Sequence, residues 1–212
     1  MIKDFRLSLF GNFENLNYTR ENIDELFNLY SEEKNMIPIQ FEEINVTTGE
    51  KSKRVRLSNE DQKYGLQIGV ERVDFEINNI TDIREGIEKG ENFLRKFIKK
   101  YNVLINRLAI NALEEVEYEE KYQKLVNTVE FFKENSQIQI GNHKVEELKL
   151  STKQTKVNII SNFYLAPNIL EISFDINTII PAMINYTDDD LNLFIEESNN
   201  IIQKIKNDLK SL

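Results

Sequence analysis

The chain has 212 residues, a formal net charge of −9 and no cysteine. That length can bury a core without covalent staples, and the lack of thiols excludes disulfides, thiolate nucleophiles and cysteine-bound zinc. An apolar content of 40% beside 30% charged residues is that of a globular protein, too hydrophobic for a disordered one. Net acidity disfavours nucleic acid, because neutralising phosphates supplies most of that affinity. Met1-Ile2-Lys3-Asp4 breaks into charge at once, so no signal-peptide core is expected. No apolar run approaches the roughly 18 residues that span a bilayer. The expectation is a cytoplasmic protein with no membrane partner.

Phe5, Leu7 and Leu9 alternate with Arg6, Ser8 and Phe10, which predicts a first strand over about residues 3–10. Thr19 opens a helix whose face is Ile23, Leu26, Phe27 and Tyr30. Pro38 keeps the next segment out of a helix interior. Ile37, Ile39 and Phe41 alternate, then the phase switches to Ile44 and Val46, which predicts a bulge near Glu42-Glu43. Thr47 to Glu50 reads as a hairpin turn, and Val55 and Leu57 mark the return strand.

The stretch from Tyr64 to Tyr101 has the clearest pattern. Leu66, Ile68 and Val70 alternate with Gly65, Gln67 and Gly69. After a reversal near Glu71-Arg72, Val73, Phe75 and Ile77 alternate with Asp74, Glu76 and Asn78. The period then becomes helical through Ile83, Ile87, Gly90, Leu94, Phe97 and Tyr101, with Asp82 and Glu85 spaced as a capping box. Gly86 and Gly90, four apart on one helix face, point to close packing on the sheet.

From Val103 the pattern repeats: a strand to Val116, then a helix through Tyr118, Tyr122, Leu125, Val129 and Phe132. Ile138 and Ile140 precede a predicted turn at Gly141-Asn142, and Leu148 with Leu150 marks another strand. Val157 to Leu165 and Leu170 to Ile176 form a hairpin about Ala166-Pro167-Asn168. Pro181 breaks the chain, and Thr187 with Asp188-Asp189-Asp190 starts a final helix. The fold class is therefore α+β, with two pseudo-repeats of strand, helix, four antiparallel strands and helix. The halves are residues 1–101 and 102–212, two units or one continuous domain, and each predicts a curved antiparallel sheet with its long helix on one face. Such an order resembles the helix-grip and TATA-binding-protein-like folds, the latter a duplicated saddle; the resemblance concerns fold and does not carry DNA binding with it.

Residues 66–116 and 169–212 resemble a sporadically distributed, uncharacterised bacterial protein family. Its members run from a short strand through a helix into a strand of Arg-Ile-Gly-Leu-Arg-Tyr character, and end in an apolar strand with an Asp, a loop and an amphipathic helix; the matching stretches here are Asn106-Arg107-Leu108-Ala109-Ile110-Asn111-Ala112, then Leu170 to Asp175 and Leu191 to Leu212. Arg107 matches, whereas Asn111 and Ala112 replace the second arginine and the aromatic. The resemblance covers under half of the chain and implies no activity.

His143 is the only histidine and reads as a turn residue without catalytic or zinc-binding company. Asp188, Asp189 and Asp190 are spaced about 100° apart around a helix, which suits a cap better than a cation site. Glu114, Glu115, Glu117, Glu119 and Glu120 read as a solvated run, or as a docking patch for a basic partner. No phosphate loop is present. The most informative set is the polar phase of the strands. Arg54, Arg56, Gln67, Arg72, Arg107, Asn158, Asn162 and Tyr164 are the candidate ligand- or partner-binding residues. Without catalytic groups or a cofactor motif, the expectation is a non-enzymatic protein that needs no cofactor and binds another protein. Richness in Ile, Asn, Lys and Glu suits an AT-rich bacterial or phage genome, and so a defence or anti-defence factor. The alternative is a binder or sponge for a small anionic, nucleotide-like ligand. The oligomeric state is not legible at this level.

Overall fold

In a computed structural model, the described residues are 1–33, 35–125, 138–151, 153–166, 169–179 and 185–211. The elements in chain order are β1 (Ile2–Gly11), α1 (Arg20–Leu29), β2 (Met36–Ile44), β3 (Lys51–Asn59), β4 (Tyr64–Ile68), β5 (Arg72–Ile80) and α2 (Ile83–Tyr101). There follow β6 (Ile105–Val116), a 3-10 turn (Glu120–Leu125), β7 (Ile138–Leu150), β8 (Lys153–Ala166), β9 (Ile169–Thr178) and α3 (Asp188–Lys210). The fold is α+β, as its composition and periodicity predict. All nine strands join one antiparallel sheet in the order β2-β3-β4-β5-β1-β6-β9-β8-β7. The seam between the two sequence halves is the pairing of β1 with β6, with Leu7 opposite Ile110 and Phe10 opposite Arg107.

Strand alternation divides the sheet into an apolar and a polar face. On the apolar face Phe5, Leu7, Leu9, Val73, Phe75, Leu66, Leu57, Ile110, Phe174 and Ile176 are buried. The long helices cover it. A methyl group at Gly86 would lie 2.7 Å from the Phe5 ring, and one at Gly90 would lie 2.8 Å from the Phe75 ring. The two glycines are thus the close-approach points between α2 and the sheet. Glu114 shares its face with Ala112, which stands opposite Phe5, and its Oε1 accepts from Lys206 Nζ of α3 at 2.7 Å. The α3 helix therefore covers the same face as α2. Tyr30, at the end of α1, stacks on Phe93 at 4.7 Å and donates its hydroxyl to the Phe93 carbonyl at 2.9 Å. Burial pushes its phenol well above the usual range.

The helix starts use their predicted caps. Thr19 Oγ1 accepts from Asn22 N, Asp82 from Arg84 N and Thr187 Oγ1 from Asp190 N. The reciprocal box is closed at α3, where Asp190 Oδ2 accepts from Thr187 N at 3.0 Å, rather than at Asp82 and Glu85. Asp190 is also 2.8 Å from Lys153 Nζ, and Asp188 lies 3.4 Å from Lys99 Nζ. Two of the three consecutive aspartates are thus engaged within the fold.

Two strand readings and one helix reading are corrected. The β2–β3 ladder is regular from Met36 to Ile44, with no bulge at Glu42-Glu43. The phase changes because Ile37, Ile39 and Phe41 share the face of Arg56 and Arg54, whereas Ile44 lies on the other face and Val46 beyond the strand, both exposed. Gly141 and Asn142 do not turn the chain: β7 runs through them, paired with Asn162 and Ser161, so among the described residues three strands rather than four separate β6 from α3. His143 consequently sits within a strand, with its Nε2 3.3 Å from Asn158 Oδ1. The predicted helix from Tyr118 begins as a 3-10 turn; Val129 and Phe132 lie outside the described residues, as do Pro167, Asn168 and Pro181.

Candidate functional site

The second face of the sheet carries none of the described helices, and every sequence-predicted binding residue lies on it. Cross-strand pairing orders them in rows. One row runs Arg56, Gln67, Asp74, Ser8, Ala109, Asn177, Asn158 from β3 to β8. The row beside it holds Arg72, Phe10 and Arg107 on β5, β1 and β6. Asn162 stands opposite Ser173, and Tyr164 opposite Glu171 and Gln139. One face is therefore formed, but not one pocket. Six strand spacings separate β3 from β8, roughly 29 Å at about 4.8 Å each.

Most of the arginines are neutralised within the face. Arg54 is 1% exposed; its Nη1 donates to the carbonyls of Glu14 at 3.1 Å and Phe13 at 3.5 Å, and its Nε lies 3.4 Å from the Glu43 carboxylate. Glu43 in turn accepts from Val70 N at 2.7 Å. Arg54 thereby fastens the loop after β1 and the β4–β5 turn to the β2–β3 ribbon. It borders a groove of about 930 Å³ whose walls include Glu14, Glu43, Glu50 and Glu71. Lys51 and Lys53 line it beside Arg54, so the groove is of mixed charge. Arg56 shares Glu76 with Arg6, at 3.4 and 2.9 Å.

Arg72 Nε lies 2.7 Å from Asp74 Oδ2, and Ser8 Oγ donates to Asp74 Oδ1 at 2.6 Å. Burial raises the Asp74 carboxyl above its ordinary value, against the opposing pull of the Ser8 hydroxyl and the arginines. Its contacts therefore only partly offset the cost of keeping a carboxylate out of water.

Arg107 differs. Among the described residues no carboxylate lies within ion-pair distance of it. Its guanidinium stands 4.7 Å from the Phe10 ring centre, and that of Arg72 stands 5.9 Å from the same ring. The Arg107 Nε is buried without an acceptor. Phe10 is thus a half-buried aromatic between two guanidinium groups, held by the quadrupole of its ring. Sequence reasoning passed over Phe10. Its signal is an aromatic on the polar phase of β1, out of step with Phe5, Leu7 and Leu9.

Toward β8 the face changes from ion pairs to amides. Asn177 Nδ2 donates to Asp175 Oδ1 at 2.9 Å, Asn158 Nδ2 to Asn177 Oδ1 at 3.3 Å and Asn162 Nδ2 to Ser173 Oγ at 3.3 Å. Such a surface presents donors and acceptors that are mostly held by long bonds and can be re-aimed. The acidic run at the end of β6 is divided: Glu114 turns to Lys206, while Glu115 and Glu171 share Lys3 at 2.5 and 2.7 Å. No helix among the described residues is long and apolar enough to cross a membrane. Compared with known proteins, the chain matches no family model, and no curated protein matches its sequence.

Proposed function

We propose that this is a non-enzymatic binding protein whose helix-free sheet face engages another protein. The observation that carries the reading is the Arg72–Phe10–Arg107 row. An aromatic and an arginine without an acidic partner sit together on the central strands of a wide polar face, at the strand ends, and these residue types anchor protein interfaces. Arg107 calls for a carboxylate on the partner, Phe10 supplies apolar contact, and the amides of β8 and β9 provide adaptable hydrogen bonds around them. On each side of the β1–β6 seam the later strands among the described residues follow in reverse order, four beyond β1 and three beyond β6, which supports reading the halves as a duplicated pattern with one strand fewer in the second, and with the anchor beside the seam. Composition fits an AT-rich bacterial or phage genome, and a defence or anti-defence factor acting by occupying its target is in keeping with such a surface.

The test is affinity capture from a bacterial lysate with the native chain, Arg107→Glu and Phe10→Ala side by side. The expected result is a specific protein retained by the native chain and lost with Arg107→Glu. Capture unchanged by both substitutions, or a measurable turnover of a substrate, would overturn it. One observation favours a second reading. Two guanidinium groups flank a ring, an arrangement that also suits a small planar anion such as a nucleotide. A rise in melting temperature with nucleotides, abolished by Arg107→Glu, would establish that alternative.

A further inference from the structure

The two ends of the sheet are built differently. The β2 edge carries Pro38, which has no backbone N–H to donate to a further strand. The β7 edge is 13 residues long, contains no proline and has no neighbour beyond it among the described residues. Among the described residues its outer backbone groups pair with no strand and can continue the ladder.

We infer that two copies of this chain pair through β7, antiparallel, about a two-fold axis at Val145. A continuous sheet requires that residues opposite each other point to the same face, so the two positions in a self-pair differ by an even number. With the axis at Val145, Lys144 stands opposite Glu146 of the second copy, and Glu146 opposite its Lys144. His143 faces Glu147 on the other side of the sheet, and Ile140 faces Leu150 at each end. The Lys144–Glu146 pairs are thus charge-complementary and the Ile140–Leu150 pairs apolar, while Asn142 stands opposite Leu148 and Gly141 opposite Lys149. Moving the axis one residue either way removes this: at Lys144 it sets lysine against lysine, and at Glu146 glutamate against glutamate.

Val145 is 48% exposed and is one of the large apolar side chains left in solvent; self-pairing sets it against its own copy. Lys144 and Glu146 already form an ion pair within the strand, so pairing exchanges partners rather than creating new charge. The backbone ladder supplies the attraction, and the charges select the register and the partner. The junction would extend the polar face from one copy into the next, and it stands independently of what that face binds.

The test is the concentration-dependent mass of the full chain by sedimentation, for the native protein, Lys144→Glu, Glu146→Lys and the double variant K144E/E146K. These are surface positions, and far-ultraviolet circular dichroism and thermal unfolding verify that each variant is folded. The expected result is a native dimer whose dissociation constant rises about tenfold or more with either single reversal. The double swap, which restores opposite charges across the axis, returns it close to the native value. A native chain that stays monomeric into the high-micromolar range would overturn the inference. So would a dimer indifferent to the single reversals, or one that the double swap fails to restore.

Discussion

The two flanks of the open face solve the same problem in opposite ways. On β3, β5 and β1 the polar groups are largely charged and paired: Arg56 and Arg6 with Glu76, Arg72 with Asp74, Arg54 with Glu43 and the carbonyls of a loop. On β9 and β8 they are largely neutral and held by long amide contacts. Charge is expensive to desolvate unless it is paired, so the charged flank is committed to the fold. Amides exchange partners at little cost, so the neutral flank stays adaptable. Arg107 and Phe10 stand where the two meet. The lesson is that an arginine on a polar sheet face is informative only after its acids have been found.

The largest effect expected from breaking this contrast is at Arg54. Arg54→Ala removes a buried guanidinium and frees two loop carbonyls and Glu43. Chemical denaturation is expected to show a loss of about 2–4 kcal/mol. A loss under about 0.5 kcal/mol would mean that the loop is fastened elsewhere.

Next comes Asp74, whose carboxyl is raised by burial. Its folded form binds the proton more tightly than the unfolded chain does. The stability it contributes is therefore complete below the ordinary value of 3.8 and is lost as pH rises through the folded value. Acidification through that window adds stability at this site, opposite to the effect of the lowered carboxyl groups of Asp82 and Glu115, whose contribution is lost on acidification. Asp74→Asn is expected to flatten that part of the pH–stability profile. A profile identical to the native one would contradict the assignment.

Smaller still is Arg107→Ala. With no ion pair to break, it is expected to cost under about 1 kcal/mol, the scale of one cation–aromatic contact. A cost as large as that of Arg54→Ala would place Arg107 among the residues committed to the fold. At the far end of the scale, Asn158→Ala is expected to change stability by no more than about 0.5 kcal/mol, because its bonds to Asn177 and His143 are both 3.3 Å long.

Much of this was legible before any geometry. Period-2 alternation at Phe5–Leu9, Leu66–Ile68 and Val73–Ile77 is unambiguous, because each strand buries one face fully. The polar phase could be read with the same certainty, which is why every candidate residue from Arg54 to Tyr164 lies on one side. Three things were not legible, each for a local reason. Gly141-Asn142 is a common turn pair, yet an edge strand that exposes most of its residues tolerates it, so β7 passes straight through. Ile44 and Val46 are apolar but exposed, and a hydrophobic pattern cannot say which apolar residues are left in water. Strand order was the third. Only pairing reveals that Arg72 and Arg107, 35 positions apart in sequence, flank one ring, and that Arg54 lies far from Asn158. Phe10 shows the same limit from the other side: its phase was visible, but its neighbours were not.

The most direct measurement is amide hydrogen exchange on the captured protein complex, read against the free chain. The account predicts slowed exchange concentrated in β5, β1 and β6 around Arg72, Phe10 and Arg107, extending into β9 and β8. It also predicts that Arg107→Glu removes that protection while the melting temperature stays near the native value. Protection confined to α1, α2 and α3 on the opposite side, with the open face exchanging as in the free chain, would contradict it.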